Sequence, residues 1–299
     1  MAETQQALRP DEPIIPQDPG QALLLWRRFR KNKAAILGAL VVLVMILAAL
    51  FARQVAPYDP LKPDYQSALQ GPSSTHWFGT DELGRDLFSR VIYGARVSLT
   101  AGVISVGLAL AIGLPIGLLS GYYRGFWDEM VIMRITDAFQ AIPFLILALA
   151  IAAALGPGLS KAMIAIGIGL TPGVIRMVRG QVLAHRESEY VQAVRALGAS
   201  DARIMFRHIL PNIAGPVIVQ ASLACASAII AESSLSYLGL GVQPPTPAWG
   251  SALRAGQGYL TIAPWLSYAP GAAVFISVLS INLMGDGLRD MLDPRMKNS

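Results

Sequence analysis

Glu232 is the only acid in a long apolar stretch of the chain, and Ser236 stands one helical turn beyond it. An ionisable group at membrane depth is a functional candidate by default, because it must be paired, hydrated or neutralised. Ala224, Ala228 and Ser236 share its helical face, so the carboxyl is expected to meet protein or a water-filled cavity rather than lipid. Two roles stay open for it: polarity in a gate or pathway, or a structural hydrogen bond. Asn282, in the last apolar run, has the same two readings. No other chemistry is assembled by spacing. His76, His185 and His208 are far apart, none at metal-ligand distance from another, and Cys225 is the single cysteine, so neither a disulfide nor a metal cluster is expected. The chain has no G-x-x-x-x-G-K-[ST] phosphate loop, no H-E-x-x-H and no G-x-S-x-G. It is therefore expected to bind no cofactor itself and to act as a conduit rather than a catalyst.

The second informative stretch is HRESEYVQAVRALGASDARIMFRHILPN, residues 185–212. Ser188 can cap a helix with Glu189 in its first turn and Arg195 in its last, as the helix dipole favours, and Gly198 supplies a left-handed stop. Tyr190, Val194 and Leu197 fall at spacings of 0, 4 and 7 and predict its apolar face. Ser200 or Asp201 can cap a second helix running through Ile204, Met205 and Ile209 to Leu210-Pro211. The result is a two-helix elbow. Helices this short are marginal in water, so the apolar face must be buried against the chain's own bundle, lipid or a partner.

Both features need apolar elements to hold them. Of 299 residues 54% are hydrophobic and 14% charged, with 28 Gly and 20 Pro, which excludes a water-soluble monomer and fits a polytopic helical membrane protein. Residues 34–52, 97–123, 138–160, 209–231 and 255–285 carry no charge, and about 20 residues of helix cross a hydrocarbon core. Between Lys161 and Arg176 only 14 residues are uncharged; counted as a span, this stretch must place Arg176 in protein contacts or let it reach the interface. Six spans result. Lysines and arginines on alternate sides number 17 against 7, which predicts both termini in the cytoplasm and turns the net charge of +5 into a topology signal rather than a nucleic-acid one. The expected organisation is a flexible tail over 1–26, a basic flank and first span over 27–52, an external segment over 53–96, a five-helix core over 97–290 containing the loop 185–212, and a tail over 291–299. Ala101, Ser105, Ala109, Gly113, Gly117 and Gly121 recur every four residues, a stripe that lets another helix approach closely.

The elbow resembles the EAA loop of permease subunits in binding-protein-dependent ABC importers, through Gln192-Ala193-Val194, Gly198 and Leu210-Pro211. Gln192 stands where that pattern has Glu, and Val194 where it has Ala. LWRRFRKNKAAILG at 25–38, HWFGTDELGRDLFSRVIYGARVSL at 76–99, SSLSYLGLGVQPPTPAWG at 233–250 and NLMGDGLRDMLDP at 282–294 narrow the resemblance to the dipeptide, oligopeptide, nickel and glutathione branch, second-permease type. It implies an all-α type I importer permease fold with six transmembrane helices in a bacterial cytoplasmic membrane. It further implies that residues 189–199, Glu189, Tyr190, Val191, Gln192, Ala193, Val194, Arg195, Leu197, Gly198 and Ala199 among them, form a coupling helix seated on an ATPase, with Leu210-Pro211 leading into span five. The implied partners are a second homologous permease, two ATPases that use ATP and Mg, and an external solute-binding protein. Arg195, Arg203 and Arg207 are candidate ATPase contacts. In the external segment Thr80 or Asp81 is expected to cap a helix, and Gly79, Asp81, Gly84, Arg85 and Asp86 are read either as a collar for the binding protein or as local scaffolding. A secondary transporter or channel would instead predict inverted repeats and more intramembrane coupling residues; a membrane scaffold would leave the elbow unexplained unless it binds some other cytosolic protein. The cargo stays open among dipeptides, longer peptides, glutathione and chelated nickel.

Overall fold

The computed structural model describes residues 32–292; the expected tail over 1–26, residues 27–31 of the basic flank and residues 293–299 lie outside them. Among the described residues the chain is helical, with one isolated bridge, Thr80 to Asp86, as its only β pairing. The long elements are α1 (Lys33–Leu50), α2 (Leu87–Tyr122), α3 (Asp128–Gln140), α4 (Phe144–Leu155), α5 (Leu159–Arg186), α6 (Glu189–Ala196), α7 (Asp201–Tyr237), α8 (Trp249–Gly256) and α9 (Trp265–Leu292). Five of them are long and apolar enough to cross a membrane, and α3 with α4, bent by 93°, make a sixth crossing if the pair is one span. The elbow lies at one end of the bundle, and the loop-rich segments 51–86 and 238–264 form a layer at the other.

Local chemistry fixes the helix starts. Asn32 caps α1 by accepting from the Ala35 N–H at 3.0 Å. α2 begins at Leu87 with Asp86 as its cap, accepting from the Ser89 N–H at 2.8 Å, which corrects the expected cap at Thr80 or Asp81. Gly79 and Gly84, at φ +76° and +74°, turn the chain before the helix can start, and Asp81 is committed to the Leu83 and Arg85 N–H groups at 2.9 Å each. α2 also reaches ten residues back into the segment 53–96, over residues 87–96.

The small-residue stripe of α2 faces α5. A Cβ added at Gly113, Gly117 or Gly121 would lie 2.7 Å from Val174, Val178 or Val182 in turn. Three successive Gly–Val contacts thus lock the two helices, with Ala109 fully buried in line with them. Gly117→Ala is expected to destabilise the protein by about 1–3 kcal/mol through overpacking. Val178→Ala in the same chain should restore much of the loss in a detergent thermal-unfolding measurement; no rescue would mean the helices do not interlock there.

One span departs from the sequence expectation, and another fulfils it. The apolar run 138–160 is not one straight crossing: Pro143 has no N–H to donate and restricts Ile142, and the helix breaks at Ala141–Pro143. The fourth span is present as expected, within a 28-residue helix, and its Arg176 is placed in a protein contact, one of the two outcomes foreseen for it. Arg176 meets Asp137 of α3, and Arg179 holds Asp128 bidentately, with Nε 2.9 Å from Oδ1 and Nη2 2.6 Å from Oδ2. Ser120 of α2 donates to the same carboxylate, so Asp128 joins α2, α3 and α5 at the elbow end. α7 is also continuous through the expected start of span five. A π-helical stretch at Ile204–Ile209 runs directly into Leu210, and Pro211 sits where the π winding returns to α.

Candidate functional site: the elbow and its supports

α6 ends in a Schellman motif. Gly198, at φ +79°, donates its N–H to the Arg195 carbonyl at 3.0 Å, and Ala199 donates to the Val194 carbonyl at 3.3 Å. Ser188 stands at the cap position but its hydroxyl donates back to the His185 carbonyl at 2.5 Å rather than accepting from the helix. The Gln192 amide donates to the Glu187 carbonyl at 2.9 Å, tying the first turn to the end of α5. Tyr190 completes that junction through its hydroxyl, 3.1 Å from His185 Nδ1.

The apolar face differs from the expected Tyr190, Val194 and Leu197. Val191 is the anchor, fully buried with Val182, Ile204, Met205 and Ile209, and Tyr190 and Val194 pack half-buried beside it. Leu197 is the C-cap, with φ −79° and ψ 6°; once the chain leaves helical geometry, seven-residue spacing no longer places it on that face. It is instead 87% exposed. The tip therefore presents Leu197 among Glu189, Gln192, Ala193, Arg195 and Gly198, all exposed. A Cβ at Gly198 would touch nothing within 4 Å.

The base of the elbow is clamped to the end of α2. Tyr122 donates its hydroxyl to Asp201 Oδ1 at 2.7 Å, and Arg186 Nη1 donates to the Tyr122 carbonyl at 3.2 Å. Arg195 lies over the Tyr122 ring, 5.9 Å from its centroid, with Nη2 3.5 Å from the hydroxyl. The Tyr122 hydroxyl raises the Arg195 pKa above its ordinary value, so Arg195 stays a cation throughout the physiological range. Of the three arginines proposed as partner contacts, Arg195 thus serves the clamp, while Arg203 and Arg207 are exposed. Leu210 is half-buried and Pro211 exposed on the continuous α7 rod.

Glu232 and Ser236 come together; Asn282 does not join them. Glu232 is fully buried, and its Oε1 accepts from Ser236 Oγ at 2.7 Å and its Oε2 from Ser98 Oγ of α2 at 3.2 Å. Ser236 Oγ in turn accepts the Val242 N–H at 3.0 Å, so the group stitches α2, α7 and the following loop. Glu232→Gln can keep both contacts and is expected to retain stability. Glu232→Ala leaves two hydroxyls and a cavity, and should cost about 2–4 kcal/mol, read as a lower unfolding midpoint in detergent. A loss of uptake in Glu232→Gln at unchanged stability would return this residue to the pathway. Asn282 lies half-buried on α9, and its side chain makes no hydrogen bond among the described residues.

The collar residues point inward. Asp81 binds Arg85 Nε at 2.7 Å, Asp86 accepts from His76 Nδ1 at 2.9 Å, and Asp81, Arg85 and Asp86 are all buried. Arg90, also buried, donates to the Pro60 carbonyl at 2.9 Å. These side chains hold the loop together, and any docking there would use the surface they support. Among the described residues no group of three or more His, Cys, Asp or Glu could hold a metal.

Sequence reasoning missed the Asp128–Arg179 pair, the Tyr122–Asp201 clamp and the break at Pro143. Only the last left a signal, a proline inside an apolar run.

Five membrane-length helices and the bent α3–α4 pair, packed by a glycine stripe and carrying a clamped amphipathic elbow at one end, fit a multi-pass membrane permease subunit. The comparisons with known proteins specify which kind. Residues 113–298 match the family described as binding-protein-dependent transport system inner membrane component, and residues 21–72 match the N-terminal TM domain of oligopeptide transport permease C. The glutathione transport system permease protein GsiD of Escherichia coli O6:K15:H31 (strain 536 / UPEC) is 47% identical over 273 residues, covering 91% of this chain and 90% of that protein. GsiD of Shigella boydii serotype 4 (strain Sb227) is similar to the same extent. A chain of the MetNI methionine ABC transporter, in an inward-facing conformation, has a similar fold, with a TM-score of 0.57 at 21% identity over 68% of this chain and 96% of that one. The chain belongs to the inner-membrane component family of binding-protein-dependent ABC importers, in its dipeptide and oligopeptide branch.

Proposed function

We propose that this subunit forms half of a translocation pathway for small peptides, with a second homologous permease supplying the other half. The elbow docks in a cleft of one of two cytoplasmic ATPases, which bind the ATP and Mg, while an external solute-binding protein delivers cargo to the loop-rich end. The basic residues, 17 on the elbow side against 7, support placing that end and both termini in the cytoplasm. Leu197 carries the reading: an apolar side chain 87% exposed, at the tip of an elbow otherwise clamped in place, is accounted for by a partner that covers it. The glutathione carried by the relatives' printed name is itself a tripeptide, which supports a peptide cargo and makes glutathione the first compound to try.

Affinity purification of this chain from its native membrane in mild detergent tests the assembly, followed by uptake of labelled glutathione and short peptides in proteoliposomes. Recovery of a second permease and phosphate-loop ATPases, with ATP-dependent uptake, is expected. A folded chain recovered alone from cells that contain the ATPases would overturn the reading.

A further inference from the structure

α3 and α4 meet at 93°, and residues 141–143 between them are exposed. The break is level with Gly169 of α5, where an added Cβ would lie 3.1 Å from the Phe144 ring. Gly169 lies between Lys161 and Arg176, about 12 Å and 10 Å from them at 1.5 Å per residue, so the break is level with the middle of the uncharged stretch of α5 that crosses the hydrocarbon layer. Non-helical backbone at that depth cannot face acyl chains, which offer its N–H and C=O groups no hydrogen bond; it is covered by protein or lines water.

A cavity of about 270 Å³ opens beside the break, walled by Gln140, Phe144, Gly169, Gly173 and Gln220 among others. Neither glutamine side chain makes a hydrogen bond among the described residues. Thr136, Thr171 and Ser222, on nearby turns, each donate to the carbonyl four residues earlier. A primary amide offers two donors and an acceptor, the complement of a peptide bond, and it carries no charge to trap a zwitterion. Gly173 leaves the wall bare, since a Cβ there meets nothing within 4 Å. The volume falls just below the ~300–1,000 Å³ of a complete small-molecule site, as expected for half of one.

We infer that Gln140 and Gln220 form this subunit's share of a mid-membrane contact site for peptide bonds, their amides exchanging hydrogen bonds with the cargo backbone as it passes the break. The inference rests on the peptide-import reading above. Recognition of backbone rather than side chains makes the permease indifferent to cargo sequence, and leaves selection to whatever delivers the peptide.

The test uses the whole importer in proteoliposomes, with labelled glutathione and trialanine as probes. Gln140→Leu and Gln220→Leu are each expected to lower maximal uptake about tenfold, the loss of roughly one hydrogen bond. Gly173→Leu, which puts a side chain into the cavity from a position where a Cβ meets nothing within 4 Å, should stop uptake while the unfolding midpoint and co-purification of partners stay as in the unaltered chain. In a Cys225→Ala background, Gln220→Cys should react with a water-soluble methanethiosulfonate, and transported peptide should slow the reaction. Full uptake in both leucine variants would overturn the inference. So would an unreactive Gln220→Cys beside a reactive Ser74→Cys loop control, which would mean that the second permease or lipid covers this face. Failure of the unaltered importer to take up either probe would count against the peptide-import reading instead.

Discussion

Leu197→Asp leaves the chain folded and disconnects it from its energy source: ATPase co-purification and uptake are both expected to fall by a hundredfold or more. In the isolated chain the side chain is 87% exposed, and substitutions at such positions change stability by about 0.5 kcal/mol or less. Any large effect must therefore come from a partner. A charge placed in a desolvated interface without a counter-ion costs several kcal/mol, and each 1.4 kcal/mol is tenfold in affinity. Gly198→Arg adds a second reading of the same contact. Its Cβ meets nothing in this chain, and the left-handed φ of +79° costs a non-glycine residue about 1–2 kcal/mol. Gly198→Ala isolates that backbone cost, so the excess loss in Gly198→Arg measures the partner. Normal uptake in Leu197→Asp and Gly198→Arg would remove α6 from coupling.

Asp128→Ala should be the most destabilising single change on the elbow side of the bundle. Arg179 loses both of its oxygen partners and Ser120 its acceptor, and the carboxylate is 2% exposed while the guanidinium is 20% exposed. Breaking a buried pair from one side costs about 3–5 kcal/mol, because the remaining charge keeps its desolvation without its compensation. In a protein of this size that corresponds to a fall of about 10 °C in unfolding midpoint. Asp128→Asn keeps one acceptor oxygen but replaces the other with an NH2 that cannot accept from Arg179, so it should lose less than Asp128→Ala without matching the unaltered chain, while Asp128→Ala with Arg179→Met removes the orphaned charge and should recover part of the loss. Equal midpoints for Asp128→Ala and the unaltered chain would show that the joint contributes nothing.

Charge punctuation made most of the membrane architecture legible in the sequence, since lipid tolerates so few charges that their gaps mark the crossings. Where charges pair with a neighbouring helix the gap understates the helix: only 14 residues separate Lys161 from Arg176, yet Asp137 and Asp128 of α3 pair with Arg176 and Arg179, and α5 runs on to Arg186. The elbow was legible because caps, Gly198 and the apolar residues all agreed on its place. The face it buries was not, because a two-turn helix has too few residues for its period to outweigh one C-cap that leaves the helical path. Asp81 and Asp86 are equally good caps by residue type. Choosing between them depended on two left-handed glycines whose φ values no spacing rule reveals.

The loop-rich layer ties together parts of the chain that are made far apart in time. Trp265 Nε1 donates to the Thr80 carbonyl across 185 positions, and Trp249 Nε1 to the Val91 carbonyl across 158. At synthesis rates of about 5–20 residues per second, the segment around Thr80 waits roughly 10–40 s for the indole that closes it. Until then the turn at Gly79 lacks the Trp265 indole that packs against it. Only a chain extended as far as the start of its final helix can close its first loop, so this layer is among the last parts of the fold to be completed.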